Sequence, residues 1–258
     1  MGLMFGDYKD INDFKEQCGY TIDDVWYPRV TKIVTIKSKP ALYRYYGEAK
    51  SYRAAQEATE QSAKEGTMIH EAVEGLLLGK NPEIPQEISP AVQSFLQFFE
   101  KNNIQVTPDL VERRIVNYDH RYAGTVDAIA LIGGKLGVLD IKTSQAIYRD
   151  YSLQTSAYMD ALKSQFKNLQ TRWILKIDQV QYCLQCGARR RVKGGREKIK
   201  IDWRNPLQKK CEHQWSALVG DIELQEFPYW QKDFEAFLGA KKLWEWENDL
   251  WLSRVGYL

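Results

Sequence analysis

The stretch Gly124–Lys142, with the sequence GTVDAIALIGGKLGVLDIK, limits the possible folds more than any other part of the chain. Two runs of branched apolar residues flank the dipeptide Gly133-Gly134, and this pattern is typical of a β-hairpin. Because successive side chains of a strand point to opposite faces, Asp140 and Lys142 are expected on the same face of the second strand. The chain is therefore expected to contain a sheet that carries charged groups on an otherwise apolar strand.

A second carboxylate, Asp127, lies on the first strand of this hairpin. Two carboxylates and an amine among apolar neighbours are costly to bury unless they are paired or hold a metal. Mg²⁺ prefers an octahedron of oxygen ligands, usually one or two carboxylates together with waters and phosphate oxygens, and Mn²⁺ suits the same ligands. These residues therefore predict a Mg²⁺ or Mn²⁺ site with Asp127 and Asp140 as ligands.

The clearest helical pattern covers residues 51–78, and Gly66 is expected to break it into two helices. His70 lies on the apolar face of the second part. The pattern leaves two interpretations open for this histidine: a satisfied core residue, or an imidazole that binds a metal or orients a phosphate. Glu74, one helical turn further on, could hydrogen-bond the imidazole ring as a partner that does not itself bind the metal.

The first 50 residues give a weaker signal. Residues 30–36 alternate in the manner of a β-strand. Basic and aromatic residues then interleave as far as Arg53, and such a composition suits base stacking and phosphate pairing in single-stranded nucleic acid. Arg44 and Arg53 are therefore candidates for nucleic-acid binding, and a partly buried aromatic cluster with solvated charges is the alternative.

A cysteine motif occupies the segment 179–220, where Cys183-x-x-Cys186-Gly is followed by Cys211-x-His213. Three cysteines and a histidine are an established ligand set for structural Zn²⁺. The pattern predicts an inserted zinc-ribbon-like unit that divides the main domain into residues 1–178 and 221–258. Two buried, unreactive thiols are the alternative for the C-x-x-C pair.

Basic residues lie between the two halves of the cysteine motif. They are Arg189, Arg190, Arg191, Lys193, Arg196, Lys198 and Lys200. The net charge of the whole chain is only +2, so any electrostatic attraction to nucleic acid must be local. The run predicts a basic β-hairpin that binds phosphate, with a solvated charged surface as the alternative.

An ordered set of motifs resembles the PD-(D/E)XK nuclease superfamily, in particular its RecB-like members and the mitochondrial-genome-maintenance exonucleases. The set consists of a helical histidine, G-x-x-D, D-x-K-T and Q-x-x-x-Y, which correspond here to His70, Gly124–Asp127, Asp140–Thr143, and Gln154 with Tyr158. Val126 precedes Asp127 where the superfamily has proline, a departure that is common in the RecB-like members.

The resemblance implies an α/β fold in which helices flank a mixed central sheet. It also implies a divalent-metal-dependent DNA nuclease, expected to be an exonuclease that acts on DNA ends or single strands. DNA repair, recombination and replication are the processes that such an enzyme serves, so replication or recombination proteins are possible partners.

The resemblance also implies roles for individual residues. Lys142 is expected to orient or deprotonate the attacking water and to offset charge in the transition state. The further positions with an implied role are the Ile141 carbonyl as a third metal ligand, His70 and Glu112 around the metal, and Gln154 and Tyr158 on the next helix. Gln154 is expected to hold the substrate backbone, and Tyr158 to support Lys142, to stack, or only to pack.

Two other functions are compatible with parts of the sequence. A catalytically inactive nucleic-acid-binding module would not need the complete set of Asp127, Asp140 and Lys142. An iron–sulfur nuclease, like the CRISPR-associated adaptation enzymes or the AddB proteins, would hold a 4Fe–4S cluster with Cys18 and the three later cysteines. The long gap before Cys211 disfavours that cluster, and it would leave His213 without a role.

The sequence also limits the cellular location. There is no apolar run long enough to cross a bilayer, and the first residues lack the pattern of a secretory signal. Four cysteines, two of them in C-x-x-C, favour metal binding in a reducing compartment over disulfides. We therefore expect a cytoplasmic protein of bacterial or phage type with DNA as its partner and no association with membranes.

Overall fold

The computed structural model describes residues 8–37, 39–195 and 197–258. The helices are α1 (Ile11–Cys18), α2 (Val30–Val34), α3 (Pro40–Glu48), α4 (Tyr52–Leu77), α5 (Ser89–Lys101), α6 (Tyr151–Leu162), α7 (Pro206–Lys210), α8 (Gln231–Glu247) and α9 (Asp249–Arg254). The strands are β1 (Gly19–Ile22), β2 (Val25–Pro28), β3 (Gln105–Asn117), β4 (Tyr122–Ile132), β5 (Lys135–Lys142), β6 (Leu169–Tyr182), β7 (Arg189–Arg191), β8 (Lys198–Lys200) and β9 (Val219–Glu226). None of these helices has the length and hydropathy required to span a membrane.

Seven of the described strands form one mixed sheet in the order β3-β4-β5-β6-β7-β8, with β9 also paired to β6. Strands β5 and β6 are parallel from Leu136↔Leu169 to Lys142↔Lys176, and the other neighbours are antiparallel. A parallel pair needs a crossover connection, and α6 provides it. Strands β1 and β2 form a separate hairpin.

Helices cover both faces of this sheet. On one face, residues of α1, α2, α6, α8 and α9 pack with Val138 of β5 in a single core, which includes Phe14 and Phe237. On the other face, residues of α4 and α5 pack against Leu139 and Ile141. The chain is thus an α/β protein with a mixed central sheet flanked by helices, as predicted. The strict alternation along β5 places Asp140 and Lys142 on the face opposite to Leu139 and Ile141.

The hairpin predicted around Gly133-Gly134 is confirmed as β4 and β5, and both glycines have positive φ, +57° and +79°. The strand predicted for residues 30–36 is wrong, because Val30–Val34 is the helix α2. Val30, Ile33 and Val34 are buried at helical spacing. Branched apolar residues favour strands only weakly, so burial against the core decides the local conformation.

The predicted break at Gly66 is also wrong, because α4 continues through it for 26 residues. A Cβ on Gly66 would lie 2.5 Å from Thr143 Oγ1 and 3.3 Å from Lys193 Nζ, so a side chain at this position would force these neighbouring side chains to shift. The glycine therefore serves the close approach of α4 to the end of β5, and it does not interrupt the helix.

The segment between β6 and β9 contains β7, a short 3₁₀ turn (Lys193–Gly195), β8 and α7. The predicted basic hairpin is present, since β7 and β8 pair in antiparallel register from Arg189↔Lys200 to Arg191↔Lys198. Strand β6 runs without interruption through the predicted boundary after residue 178 and pairs with β7 at its end. The division of the chain into a main domain and an insert remains a prediction.

Candidate functional site

The two strands of the central hairpin separate near Asp127. Their pairing runs from Ile132↔Lys135 to Ala128↔Leu139. One residue beyond, the carboxylate of Asp127 accepts the backbone N–H of Ile141 at 2.6 Å. This hydrogen bond fixes the carboxylate against β5, beside Asp140 and Lys142.

Asp140 is completely buried, with 0% of its surface exposed. Lys142 Nζ lies 2.7 Å from its Oδ1 and 2.6 Å from its Oδ2. The amide of Gln154 also donates to Oδ1, at 2.9 Å, and donates to the Tyr158 hydroxyl at 3.0 Å. Gln154 and Tyr158 therefore reach β5 from α6 and hold Asp140 in place, whereas the sequence assigned Gln154 to the substrate backbone.

The charges of this group are strongly coupled. Burial raises the pKa of Asp140 to about 6, and the negative charge of Asp127 adds to this, although Lys142 acts in the opposite direction. Burial would lower the pKa of Lys142, but Asp140 and Asp127 together raise it above its ordinary value. Lys142 is therefore a cation at neutral pH. Its aromatic neighbour is Tyr151, whose ring centroid lies 5.4 Å from Nζ.

His70 and Glu112 approach Asp127 from α4 and β3. His70 Nε2 lies 3.3 Å from Asp127 Oδ2, and this contact raises the pKa of His70 even though burial opposes the shift. Glu112 lies between the register pairs Val111↔Ala128 and Arg113↔Val126, and so stands directly across from Asp127.

The backbone of Glu112 has a φ of +49°, in the left-handed region that non-glycine residues rarely adopt. Such a conformation costs about 1–3 kcal/mol, and strained residues of this kind cluster at functional sites. Donor atoms of Glu112, Glu74 and His70 all lie within 4.8 Å of one another. Burial raises the pKa of Glu112 to about 7, and the charges of Asp127 and Glu74 contribute. Glu74, for which the sequence indicated only a supporting role, is thus a further ligand candidate.

The chemistry of these donors suits a hard divalent cation, because Asp127, Asp140 and Glu112 supply carboxylate oxygens, which Mg²⁺ and Mn²⁺ prefer. Among the described residues, the donors that lie within 4.8 Å of one another are those of His70, Glu74 and Glu112, and Asp140 is not part of that group. The pKa values of Asp140 and Glu112 are raised partly by like charge, so a cation among these groups would relieve the repulsion. Asp140 Oδ2 accepts no hydrogen bond of favourable geometry from the described residues, although Lys142 Nζ lies 2.6 Å from it as an ion-pair partner.

The site opens into a surface cleft of about 570 Å³. Several predicted residues line it, namely His70, Asp127, Ile141, Lys142, Gln154 and Tyr158. Tyr20, Arg29 and Thr31 line the same cleft and were missed by sequence reasoning. They come from the β1–β2 hairpin and the start of α2, and no spacing rule connects that region with Asp127.

The basic residues of the β7–β8 hairpin are engaged within the protein. Arg189 pairs with Asp221, Arg190 with Glu197 at 2.9 Å, and Arg191 with Asp178 at 2.6 Å. Their predicted role in binding phosphate remains a prediction, and it would require these pairs to open. Arg196 lies outside the described residues.

The other predicted nucleic-acid contacts are scattered. Lys193 is buried, and its amine donates to the carbonyl of Thr143 at 2.7 Å, so it contacts the end of β5 and is turned away from solvent. Arg44 is exposed on α3, and Arg53 pairs with Glu57 on the surface of α4 at 2.9 Å. None of these three residues is among those that line the cleft.

The four predicted zinc ligands come together as a compact cluster. Cys183 Sγ lies 3.7 Å from Cys211 Sγ, and Cys186 Sγ lies 3.4 Å from His213 Nδ1. Tetrahedral Zn²⁺ with the usual bond lengths would separate two sulfurs by about 3.8 Å, and a sulfur from a nitrogen by about 3.6 Å. Gly187, with a φ of +71°, makes the turn after Cys186 that lets both thiols of the C-x-x-C motif face one point. The cluster can therefore bind a metal such as Zn²⁺.

The thiols of this cluster differ in acidity. Although burial raises the pKa of Cys183, the backbone N–H groups of Cys186 and Gln185 lower it to about 6. Burial and the neighbouring thiols raise the pKa of Cys211 to about 12. Cys18 is not part of the cluster, because it is buried in the α1 core and its thiol contacts the Tyr8 hydroxyl at 3.0 Å. The geometry thus favours a Cys₃His site over a 4Fe–4S cluster that includes Cys18.

Two solved structures that resemble this chain share little sequence with it. No protein-family model and no curated protein matches the chain. The crystal structure of SSO0001 aligns with a TM-score of 0.36 at 15% identity and covers 84% of this chain and 73% of that one. The crystal structure of a Eubacterium rectale protein named "Putative exonuclease" aligns with a TM-score of 0.43 at 12% identity and covers 100% of this chain and 88% of that one. At such TM-scores function has to be inferred from the site itself.

Proposed function

We propose that this protein is a divalent-metal-dependent nuclease of the PD-(D/E)XK type that hydrolyses phosphodiester bonds in DNA. The observation that supports this most directly is the buried ion pair of Asp140 and Lys142 beside Asp127, because Lys142 and Asp127 line an open cleft and Asp140 lies directly behind Lys142. A cation such as Mg²⁺ or Mn²⁺, when bound, polarises the phosphoryl oxygen and lowers the pKa of a bound water. The residues that would hold it are Asp127, Asp140, Glu112 and His70, with the Ile141 carbonyl.

The chain's own residues account for the rest of the chemistry. Lys142 carries a positive charge at neutral pH, so we assign it to orienting the attacking water and stabilising negative charge on the phosphoryl group. Gln154 and Tyr158 maintain the position of Asp140. Charged groups that are already in position stabilise the transition state without having to rearrange during the reaction. In many enzymes this electrostatic stabilisation is the largest contribution to the rate enhancement.

The finer proposal is an exonuclease that acts on DNA ends or single strands. The test uses end-labelled linear single- and double-stranded DNA, alongside closed circular forms of each, with Mg²⁺, Mn²⁺ or chelator. Cleavage of linear but not circular DNA supports an exonuclease, and cleavage of circles indicates an endonuclease. If no DNA is cut with either metal, the proposed function is wrong.

We expect His70→Ala to slow cleavage about tenfold and to raise the Mg²⁺ or Mn²⁺ concentration needed for half-maximal rate. The imidazole contacts Asp127 and lies near Glu112, so its loss disturbs the carboxylates without removing one. The rate is measured against metal concentration, and thermal melting serves as the control. Unchanged metal dependence combined with a lower melting temperature would indicate a core histidine instead.

Metal affinity is expected to rise with pH between about 6 and 8. Protons compete with the metal for carboxylates, and the pKa is raised to about 7 for Glu112 and to about 6 for Asp140, so both take up protons as the pH falls through this range. Titration of free Mn²⁺ by electron paramagnetic resonance at several pH values measures the effect. His70, whose pKa is also raised, must likewise lose its proton to bind the metal, so Glu112→Gln should weaken the dependence near pH 7 without removing it. An affinity that is constant over the range would contradict the assignment.

A further inference from the structure

Tyr20 has two guanidinium groups over its ring. Arg29 Cζ lies 4.5 Å from the ring centroid, and Arg114 Cζ lies 4.4 Å from it. Arg29 belongs to the connection between β2 and α2, whereas Arg114 lies on β3, so the contact joins segments far apart in the chain. Two arginines over one tyrosine form a local concentration of positive charge in a chain whose net charge is only +2.

Neither arginine is neutralised by the described part of the protein. The hydrogen bond of Arg29 goes to the main-chain carbonyl of Glu16 at 3.3 Å, and its buried Nε has no hydrogen-bond partner there. Arg114 is exposed, and no carboxylate within the described ranges pairs with it. The arginines of the β7–β8 hairpin differ in this respect, since each of them pairs with a carboxylate.

The arrangement lies beside the carboxylate cluster. Tyr20 and Arg29 line the same cleft as Asp127 and Lys142, whereas Arg114 does not line it but contacts the ring of Tyr20, which does. The Tyr20 hydroxyl lies 3.4 Å from Thr125 Oγ1, and Arg114 is the register partner of Thr125. Thr125 precedes Asp127 by two residues on one strand, which corresponds to about 7 Å along the strand. This length is comparable to the spacing between adjacent phosphates of an extended nucleic-acid strand.

We propose that Arg29 and Arg114, positioned by Tyr20, form a phosphate-binding subsite that holds the phosphate next to the one being cleaved. This inference rests on the proposed nuclease function for the identity of the neighbouring site. Guanidinium groups match phosphate oxygens in a planar, bidentate geometry, and stacking on an aromatic ring holds them in place. The phosphate is either an internal diester or the monoester at a strand end.

The test is DNA binding without cleavage, followed by kinetics. The affinity for labelled single-stranded DNA is measured in the presence of chelator over a range of salt concentrations. The proteins compared are the wild type, Arg29→Met, Arg114→Met and Arg29→Lys. Arg113→Met is the matched control, because Arg113 is the neighbour on β3 but donates to Gln165 at 3.0 Å. Strands that carry either a phosphate or a hydroxyl at each end distinguish a terminal monoester from an internal diester as the ligand.

We expect each Met variant to weaken binding about tenfold and to lower the slope of log affinity against log salt by about one. Arg29→Lys should recover part of the affinity that Arg29→Met loses. In the cleavage reaction, both Met variants should raise KM and leave kcat close to the wild-type value. If the ligand is a terminal monoester, the variants also lose the preference for the phosphorylated end. If it is an internal diester, all strands lose affinity equally.

Binding and salt slope that stay unchanged in folded Arg29→Met and Arg114→Met would overturn the subsite. So would a loss of kcat with unaltered KM, which would place the arginines in the chemical step. If Arg29→Met does not fold, the exposed Arg114 still decides the question. A wild-type protein that fails to cut DNA refutes the proposed function, whereas the binding experiment in chelator tests the arginines independently of cleavage.

Discussion

Asp140→Asn and Lys142→Ala are each expected to abolish DNA cleavage while DNA binding survives. Asp140 is a buried carboxylate held by Lys142 and Gln154, and its oxygens are the donors that a divalent cation requires. Under the proposed function, Lys142 is the cation that stabilises the reacting phosphate, so its loss removes that charge. Either change should raise the barrier by about 4 kcal/mol or more, which corresponds to a decrease of about a thousandfold in rate. Single-turnover cleavage of end-labelled DNA at saturating Mg²⁺ measures it.

The control for these variants is Lys135→Ala. Lys135 lies on the same strand but at the surface, where it pairs with Glu226 at 2.8 Å, and an exposed pair of this kind contributes little to stability. This variant should cleave at the wild-type rate. A near-normal rate for Asp140→Asn or Lys142→Ala would mean that the reaction takes place elsewhere on the protein.

The central hairpin was predictable because its determinants are local. The turn glycines, the alternation of apolar side chains and the D-x-K spacing all act within one continuous stretch. They correctly place Asp140 and Lys142 on one face of β5, and the predicted zinc ligands likewise converge within one short segment. Patterns of charge and of metal ligands can be recognised without the tertiary structure when the residues that form them are close together in the sequence.

The errors arose where tertiary contacts decide the outcome. Residues 30–34 form a helix because Val30 and Ile33 are buried against the core, which their strand-like composition could not reveal. Gly66 suggests a helix break in the sequence, whereas in the structure it allows Thr143 to approach α4 closely. The partners of the hairpin arginines, Asp178 and Asp221, lie on β6 and β9, so the sequence could not distinguish paired charges from free ones.

The cysteine-containing segment is connected to the carboxylate cluster by the turn between β7 and β8. Lys193 donates to the carbonyl of Thr143, the residue that follows Lys142. Gly194 packs so closely on α4 that a Cβ would lie 2.4 Å from the carbonyl oxygen of Ala58. Lys198 reaches Gln145, just beyond β5, at 3.0 Å. Order in this turn should therefore help to fix the end of β5, where Lys142 is located.

Loss of the Cys₃His metal is consequently expected to impair cleavage as well as folding of the segment 179–220. Structural Zn²⁺ contributes about 10–16 kcal/mol of binding energy in small zinc-finger peptides, which is more than a segment of this size gains from its few apolar residues. Cys211→Ser should therefore lose the metal, lower the melting temperature and reduce cleavage at least tenfold. Lys193→Met should keep the metal and show a smaller loss of rate, since it removes only the contact with Thr143.

Metal analysis and absorption spectroscopy of the purified protein decide the identity of the ion. We expect one Zn²⁺ per chain in a colourless protein, and Co²⁺ substitution should give the spectrum of a tetrahedral thiolate site. Cys18→Ser is the matched control and should retain full metal content, because its thiol lies with Tyr8 in the α1 core. A brown protein that contains iron and labile sulfide, and that Cys18→Ser bleaches, would replace the zinc site with an iron–sulfur cluster. Full cleavage by metal-free Cys211→Ser would show that the segment 179–220 and the carboxylate cluster work independently.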